Sequence, residues 1–413
     1  MESSNNNFFK GKFRGVDGVV LISVLLLSAI GILMVFSITG VYRYNNRAAD
    51  ALSYVIRAIF GMAVGIGSMI TILFIPYKLL RKELSFLALI LSVLLLIWTL
   101  IFGQGTDVSA VRRWVRIGPI AFQAVDLIRV GFILSLAWFI QRLIDTKQYF
   151  SKKLVGPYLG PLVYVLICSS LVILQPDLGS SLVVLGIGMI MFFSSGIHKK
   201  QILFLILIAT VFAGIILFFL DRIGLQAYQI SRLQVWQDPF NNEYGRQTVM
   251  GYISIALGGI FGGGLGTSTQ KLGFAIEPHT DLIVTILAEE LGLMSVIFIM
   301  ILYLAIAIKC FLTALKAKDV YSALICIGTG SFFLIQPLIN LGGASGIIPL
   351  SGVTLPLVSY GMTSMVTTFS MIGIYFNARK HILDDIEREE FESKRSLSNK
   401  IIPFRDNKKA QTT

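Results

Sequence analysis

The stretch EPHTDLIVTILAEELG, Glu277 to Gly292, sets an acid, a histidine, a threonine and a second acid before an apolar run. Charged groups at the mouth of a membrane helix are costly, so each marks a contact with something other than lipid. Asp281 is best placed to touch a substrate, with Glu277, His279 and Thr280 beside it. A local reading competes: Thr280 or Asp281 is the N-cap of the helix that follows. Glu289 and Glu290 sit roughly 12–13 Å deeper along that helix. Neither can face lipid, and one is expected to pair with a basic group inside the bundle.

The cationic groups follow a different chemistry. VRRWVRIGPIAFQ carries Arg112, Arg113, Trp114 and Arg116 on the outer side, against the usual charge bias. Guanidinium groups there suit an anionic headgroup or a pyrophosphate; snorkelling to ordinary lipid is the alternative. Asp126 and Arg129 lie three apart on one helix face, as an internal ion pair or as the charged wall of a cavity. In QPDLGSS, Pro176 stops one helix and Asp177 can cap the next. Gln175, Asp177, Ser180 and Ser181 together exceed the polarity a turn needs. PLSGVTLPLVSYGMTSM holds Pro349, Gly352, Pro356 and Gly361, which kink the chain or make it re-enter. Ser359, Tyr360, Thr363 and Ser364 offer hydroxyls in the same place. Broken helix at membrane depth is tolerated where it lines a cavity or is buried in protein. The run GGIFGGGLG, Gly258 to Gly266, lacks the GK[ST] ending of a nucleotide loop. It is expected to make tight turns and close packing at the interface, with close approach to a lipid phosphate as the alternative.

The elements that must position these groups are membrane helices. The chain has 413 residues, 55% hydrophobic and 14% charged, with mean hydropathy +0.78. Its apolar blocks of about 20 residues match a hydrocarbon layer, where only helices satisfy a single backbone segment. The expected class is an all-α polytopic membrane protein with spans near 18–40, 54–75, 84–103, 125–141, 155–174, 180–197, 201–220, 282–308, 320–341 and 355–378. Most of the 35 basic residues fall in alternate connections and the tail, which puts both termini in the cytoplasm. The net charge of +12 is thus a topological signal, and no nucleic-acid partner is expected. The organisation reads as a cytoplasmic tail 1–17, a ten-helix domain 18–378 and a cytoplasmic tail 379–413 with a short surface helix. The large outer loop 221–281, between spans seven and eight, is expected to be partly helical at the outer leaflet. Cys168, Cys310 and Cys326 have no metal or disulfide spacing and read as packing residues. The first apolar block is too long for a signal-peptide core and reads as an uncleaved span.

In order, RRWVRIGPIAFQ, QPDLGSSL, GGLGTSTQK, EPHTDLIVTILAEELG and TLPLVSYGMTS resemble the successive motifs of the FtsW/RodA/SpoVE (SEDS) family of bacteria, from about residue 20 to 380. The resemblance implies a peptidoglycan glycosyltransferase. Such an enzyme polymerises lipid II on the outer face of the cytoplasmic membrane and releases undecaprenyl diphosphate. It works with a class B penicillin-binding protein among divisome or elongasome membrane proteins. The family's essential acid falls on Asp281, as a base for the acceptor hydroxyl or as the holder of a divalent ion, Mg2+ or Mn2+. No organic cofactor is implied. Arg112, Arg113, Arg232 and Lys271 are the candidates to offset charge on the leaving diphosphate. Trp114, Asp126, Arg129, Gln175, Asp177, Glu277, His279, Thr280, Ser359 and Ser364 complete the expected substrate surroundings. Where members often have Pro-Ser-Glu and then Lys, this chain has Ala124, Val125, Asp126 and Arg129, which keeps the charge signs and changes the lengths. GVTLPLVSYG leans towards the division branch over the elongation branch. Two other readings stay open: a lipid II flippase, and a scaffold that recruits a penicillin-binding protein without catalysis.

Overall fold

The computed structural model describes residues 13–44, 48–106, 109–117, 120–146, 159–196, 227–269 and 281–401. The expected seventh span, 201–220, lies outside them. The other expected spans each have a helix at their place. They are α1 Gly18–Tyr44, α2 Ala48–Phe74, α3 Tyr77–Phe102, α4 Ala124–Asp145, α5 Leu159–Leu174 and α6 Leu178–Ser194. After α7 Ala227–Gln237 and α8 Arg246–Gly258 come α9 Ile283–Ala314, α10 Val320–Ala344 and α11 Met362–Ile401. Among the described residues, six helices are long and apolar enough to cross a membrane, and α5 and α6 are shorter apolar helices. The outsides of α2 and α3 carry Ile56, Phe60, Phe86, Leu94 and Phe102 exposed. That is the surface expected where lipid is the solvent.

α10 is the most buried of the long helices and packs on α4, α6, α9 and α11. Its small residues allow this: a Cβ on Gly328 would meet Ile133 Cγ2 at 2.7 Å, and one on Gly330 would meet Cys310 Cβ at 3.0 Å. Small residues let membrane helices approach closely. Hydroxyls reinforce the contacts. Tyr164 Oη lies 2.7 Å from both Ser92 Oγ and Ser135 Oγ, joining α3, α4 and α5. The three cysteines are free and buried, as packing residues would be.

Three features differ from the expectation. Between α3 and α4 the chain forms a three-stranded antiparallel sheet, β1 Gln104–Thr106, β2 Ser109–Ile117 and β3 Ile120–Gln123. Arg112, Arg113 and Arg116 interrupt the apolar alternation, which masks a strand pattern inside a mostly helical sequence. The last helix starts at Met362, later than the expected 355. Residues 346–361 instead run as a non-helical segment that turns inward, with Ile347 exposed and Val353, Leu355, Leu357 and Val358 at most 2% exposed. Leu357 takes φ +67° there, a left-handed conformation that costs a side-chain-bearing residue about 1–2 kcal/mol. It is held from both sides. Tyr303 Oη donates to Pro356 O, and Leu355 N donates to Ser359 Oγ at 2.8 Å. The tail also departs from a separate short helix, because α11 continues unbroken from the bundle to Ile401.

The long glycine run has a structural use. α9 is broken at Gly292, with φ 77° and ψ 175°. A break inside an apolar helix frees backbone groups that lipid cannot satisfy. The segment after α8 lies in the break. Gly263 N donates to Glu289 O and Gly264 N to Glu290 O, both at 2.9 Å, while Leu293 N donates to Gly259 O at 3.0 Å and Met294 N to Ile260 O at 3.2 Å. A Cβ on Gly258 would stand 1.9 Å from Ala288 O, and one on Gly262 would stand 2.3 Å from Glu290 O. Only glycine fits so close to another backbone. The amides of Gly263 and Gly264 are therefore used inside the protein, which removes the phosphate-cradling alternative for them.

Candidate functional site

The site forms where β2, the α5–α6 turn, α7, the residues just before α9 and the segment 346–361 meet at one end of the bundle. Its centre is Gly352, at φ +73°. A Cβ there would lie 3.1 Å from Arg113 Nη1, 3.2 Å from Arg232 Nη1 and 3.3 Å from Asp281 Oδ2. Two guanidinium groups and one carboxylate, far apart in sequence, thus surround a single point that a side chain would fill.

Both arginines are aimed by backbone carbonyls. Arg113 Nη2 donates to Pro176 O at 2.7 Å, and its Nε lies 3.6 Å from Asp177 Oδ2. Arg232, on α7, donates through Nη1 to Leu350 O at 2.8 Å. Trp236 fastens the same helix to the 346–361 segment by donating to Gly346 O at 2.9 Å. In the turn that ends α7, Asn241 donates to Asp238 and holds its carboxyl below the usual range. Asn340, on α10, donates to Asp281 O at 3.0 Å and to Val353 O at 2.6 Å. One buried amide therefore positions the acid and the glycine segment together.

A polar chain leads inward from this point. Asp177 is fully buried and caps α6 by accepting from Ser180 N at 3.1 Å. It also accepts from Gln123 Nε2 at 3.3 Å. Ser180 Oγ accepts from Arg129 Nη2 at 3.0 Å, and Arg129 Nη1 meets Asp126 Oδ1 at 2.8 Å. Capping and charge-holding are thus one role for Asp177, and the Asp126–Arg129 pair is an internal lock joined to the site through Ser180. Beside the two arginines lies a cavity of about 220 Å³ with a mostly apolar lining, including Pro176, Leu178, Leu182, Leu233 and Ile348.

Not every candidate comes to this centre. Gln175 is fully buried and donates to Leu96 O at 3.0 Å. Ser359 sits in the 346–361 segment and Ser364 in the first turns of α11. Trp114 is exposed on β2, opposite Gln104 and Gln123. The Arg112 side chain and residues Lys271, Glu277, His279 and Thr280 fall outside the described residues. The expected cation beside a deep glutamate is not found at Glu289. Its carboxylate accepts from neutral groups, Ser254, Ser268 and Thr269, and among the described residues no cation pairs with it. Ser37 Oγ donates to Glu290 Oε2 at 2.7 Å. Gly352 was legible only as a helix breaker, and Asn340 not at all. The amides Gln336 and Asn340, one helical turn apart in the apolar run LIQPLINLGG, were the available signal.

The donor set bears on the divalent ion. At Gly352 the described groups are one carboxylate and two cations, which fit an anion and fall short of an all-protein cage for Mg2+ or Mn2+. Mg2+ commonly takes one or two carboxylates and completes its shell with substrate phosphates and water. Asp319, His381 and Asp385 form a group that could hold an ion, with ligand atoms within 4.8 Å of one another. It lies at the start of α10, the far end of that helix from Asn340.

Comparison with known proteins places the chain in a family. The chain belongs to the FtsW/RodA/SpoVE family of cell cycle proteins, which it matches over residues 18–383. It is 34% identical over 378 residues to the probable peptidoglycan glycosyltransferase FtsW of Bacillus subtilis, covering 89% of this chain and 91% of that protein. It is 31% identical over 371 residues to the stage V sporulation protein E of the same organism, covering 88% and 97%. Among solved structures it is similar to a chain of a peptidoglycan synthase complex in which polymerization and crosslinking are coordinated. That match has TM-score 0.70 and 25% identity over 89% of this chain and 98% of the other. Rod shape determining protein RodA of Thermus thermophilus shares the fold, with TM-score 0.62 and 22% identity over 88% of this chain and 96% of that one. The protein is accordingly a polytopic membrane protein.

Proposed function

We propose that this chain is a peptidoglycan glycosyltransferase that polymerises lipid II and releases undecaprenyl diphosphate. The observation that carries the reading is the convergence of Asp281, Arg113 and Arg232 on the point beside Gly352. Asp281 takes the proton of the acceptor hydroxyl as its oxygen bonds to the anomeric carbon of the donor. The bond from that carbon to the diphosphate breaks, and its electron pair leaves with the diphosphate. Arg113 and Arg232 offset the charge that develops there. The apolar cavity beside them receives the start of a prenyl chain. Asp281 is the described carboxylate that a divalent ion would use, and such an ion would bring phosphate-directed Lewis acidity.

In this reading the Gly352 end of the bundle faces outward, and the substrate never leaves the outer leaflet. The partner is a class B penicillin-binding protein, which crosslinks the strands. The motif GVTLPLVSYG and the similarity to FtsW favour a role in division, at the septum. Purified protein in liposomes, given lipid II with and without the cognate penicillin-binding protein, is expected to make glycan strands. Asp281→Ala is expected to make none while keeping its fold. Wild-type protein that makes no polymer but carries lipid II across the bilayer would replace this reading with a flippase. Partner binding with neither activity would replace it with a scaffold.

A further inference from the structure

Glu289 is a carboxylate only 4% exposed, beside the fully buried Glu290 in a largely apolar helix. A buried charge without a cation is expensive unless its lone pairs are filled. Here they are filled from one direction. Ser254 Oγ and Ser268 Oγ donate to Oε2, each at 2.6 Å. Thr269 donates to Oε1 through N at 2.8 Å and through Oγ1 at 3.0 Å. All of these donors belong to the α8-and-glycine segment, which also fills the break at Gly292 with its backbone. The side chain and the backbone of α9 therefore grip the same partner at the same level.

The grip has a geometric consequence. The break leaves 283–291 as a short half-helix, with Asp281 just beyond its outer end. Glu289 and Asp281 are separated by about 12 Å along that half-helix. Asp281 is held through its backbone carbonyl by Asn340, on α10. An isolated half-helix this short would not hold its shape unaided, so the grip of Glu289 on the 254–269 segment at one end and that of Asn340 at the other fix it in place.

We propose that Glu289 is a positioning residue that locks the 254–269 segment to the outer half of α9, so that Asp281 is held at the Gly352 point. This rests on the reading of Asp281 as the catalytic acid-base group. Its requirement is for hydrogen bonds and not for charge. Glutamine can accept from Thr269 N–H through its oxygen and donate to the two serine hydroxyls, which rotate to accept.

The test combines steady-state lipid II polymerisation with hydrogen exchange of the full-length protein in detergent. Glu289→Ala is expected to lower kcat by roughly tenfold or more, since small misplacements of a reacting group are costly, with KM within about twofold of wild type. Exchange should rise in 254–269 and in 283–291, and stay unchanged in α4 and α6. Glu289→Gln should recover kcat to within about threefold. The double variant Ser254→Ala, Ser268→Ala keeps the carboxylate and two of its donors, and should show the same local exchange with a smaller loss of kcat. It serves as the decisive variant if Glu289→Ala does not fold. Wild-type kcat in Glu289→Ala, exchange that rises evenly through the bundle, or a Gln variant as poor as Ala would each overturn the proposal. If wild-type protein makes no polymer, the enzymatic reading fails alone. The local exchange pattern then still decides whether Glu289 couples the two segments.

Discussion

The two ends of the bundle treat charge differently. At the far end, charged groups tie helices and tail together. Arg379 donates to the carbonyls of Arg14, Gly15 and Val16 and lies 3.4 Å from Asp17. Lys318 meets Glu389, and Arg14 meets Glu387. Tyr77 donates to Asp319 at 2.5 Å and stacks on His381, with centroids 3.6 Å apart. His381 in turn lies 3.3 Å from Asp385. At the Gly352 end, two cations and an acid arrive from separate segments and surround space beside an apolar cavity. The first arrangement pairs opposite charges across helices and fastens the fold. The second keeps like charges close together across room for an anion, which is the mark of a site.

That contrast can be broken most sharply at Asp281. Asp281→Asn is expected to lower lipid II polymerisation by about 100-fold or more, with the melting temperature in detergent unchanged. A variant that still polymerises at the wild-type rate would move the chemistry elsewhere. Gly352→Ala comes next. Its Cβ would occupy the space between the three charged groups, on a backbone that L residues avoid. A fall in kcat/KM of about tenfold to 100-fold is expected, readable in the same assay. Wild-type kinetics in that variant would show that the space is not used.

Arg113→Lys and Arg232→Lys sharpen the comparison further. Each keeps a charge but loses the fork that binds a carbonyl and an anion together. A loss of about tenfold in kcat/KM is expected for each. Equal activity of Lys and Arg would mean that only the field matters. The smallest effect is expected at the far end. The pair is partly exposed, so Asp385→Asn should leave polymerisation unchanged and cost at most about 1 kcal/mol of stability, measured as a small drop in melting temperature. A large loss of activity there would join two ends that this reading keeps apart.

Much of the molecule was legible in the residues. Apolar blocks of membrane-crossing length located the helices, because hydrocarbon leaves a backbone segment no alternative. Asp126, Arg129, Asp177 and Asp281 stood out because a charge in that solvent must have a partner. Asp177 even announced its cap through the Pro-Asp pair. The glycine run was read as tight packing, and tight packing it is. Its partner, the break at Gly292, was hidden inside a helix pattern that shows no interruption.

What the sequence by itself determined is therefore the class of environment for each segment and the identity of the costly residues. Periodicity and transfer energetics act over a few neighbours, and those can be read along a line. Only the tertiary structure decided which costly residues share a place. Arg113, Arg232, Asp281 and Gly352 meet because β2, α7, α9 and the 346–361 segment fold onto one end of the bundle. Glu289 finds hydroxyls, and no cation among the described residues, because the glycine segment enters the break in α9. Such pairings depend on packing between distant segments, where a backbone conformation of one glycine or one carbonyl's direction selects the partner, and no local pattern records it.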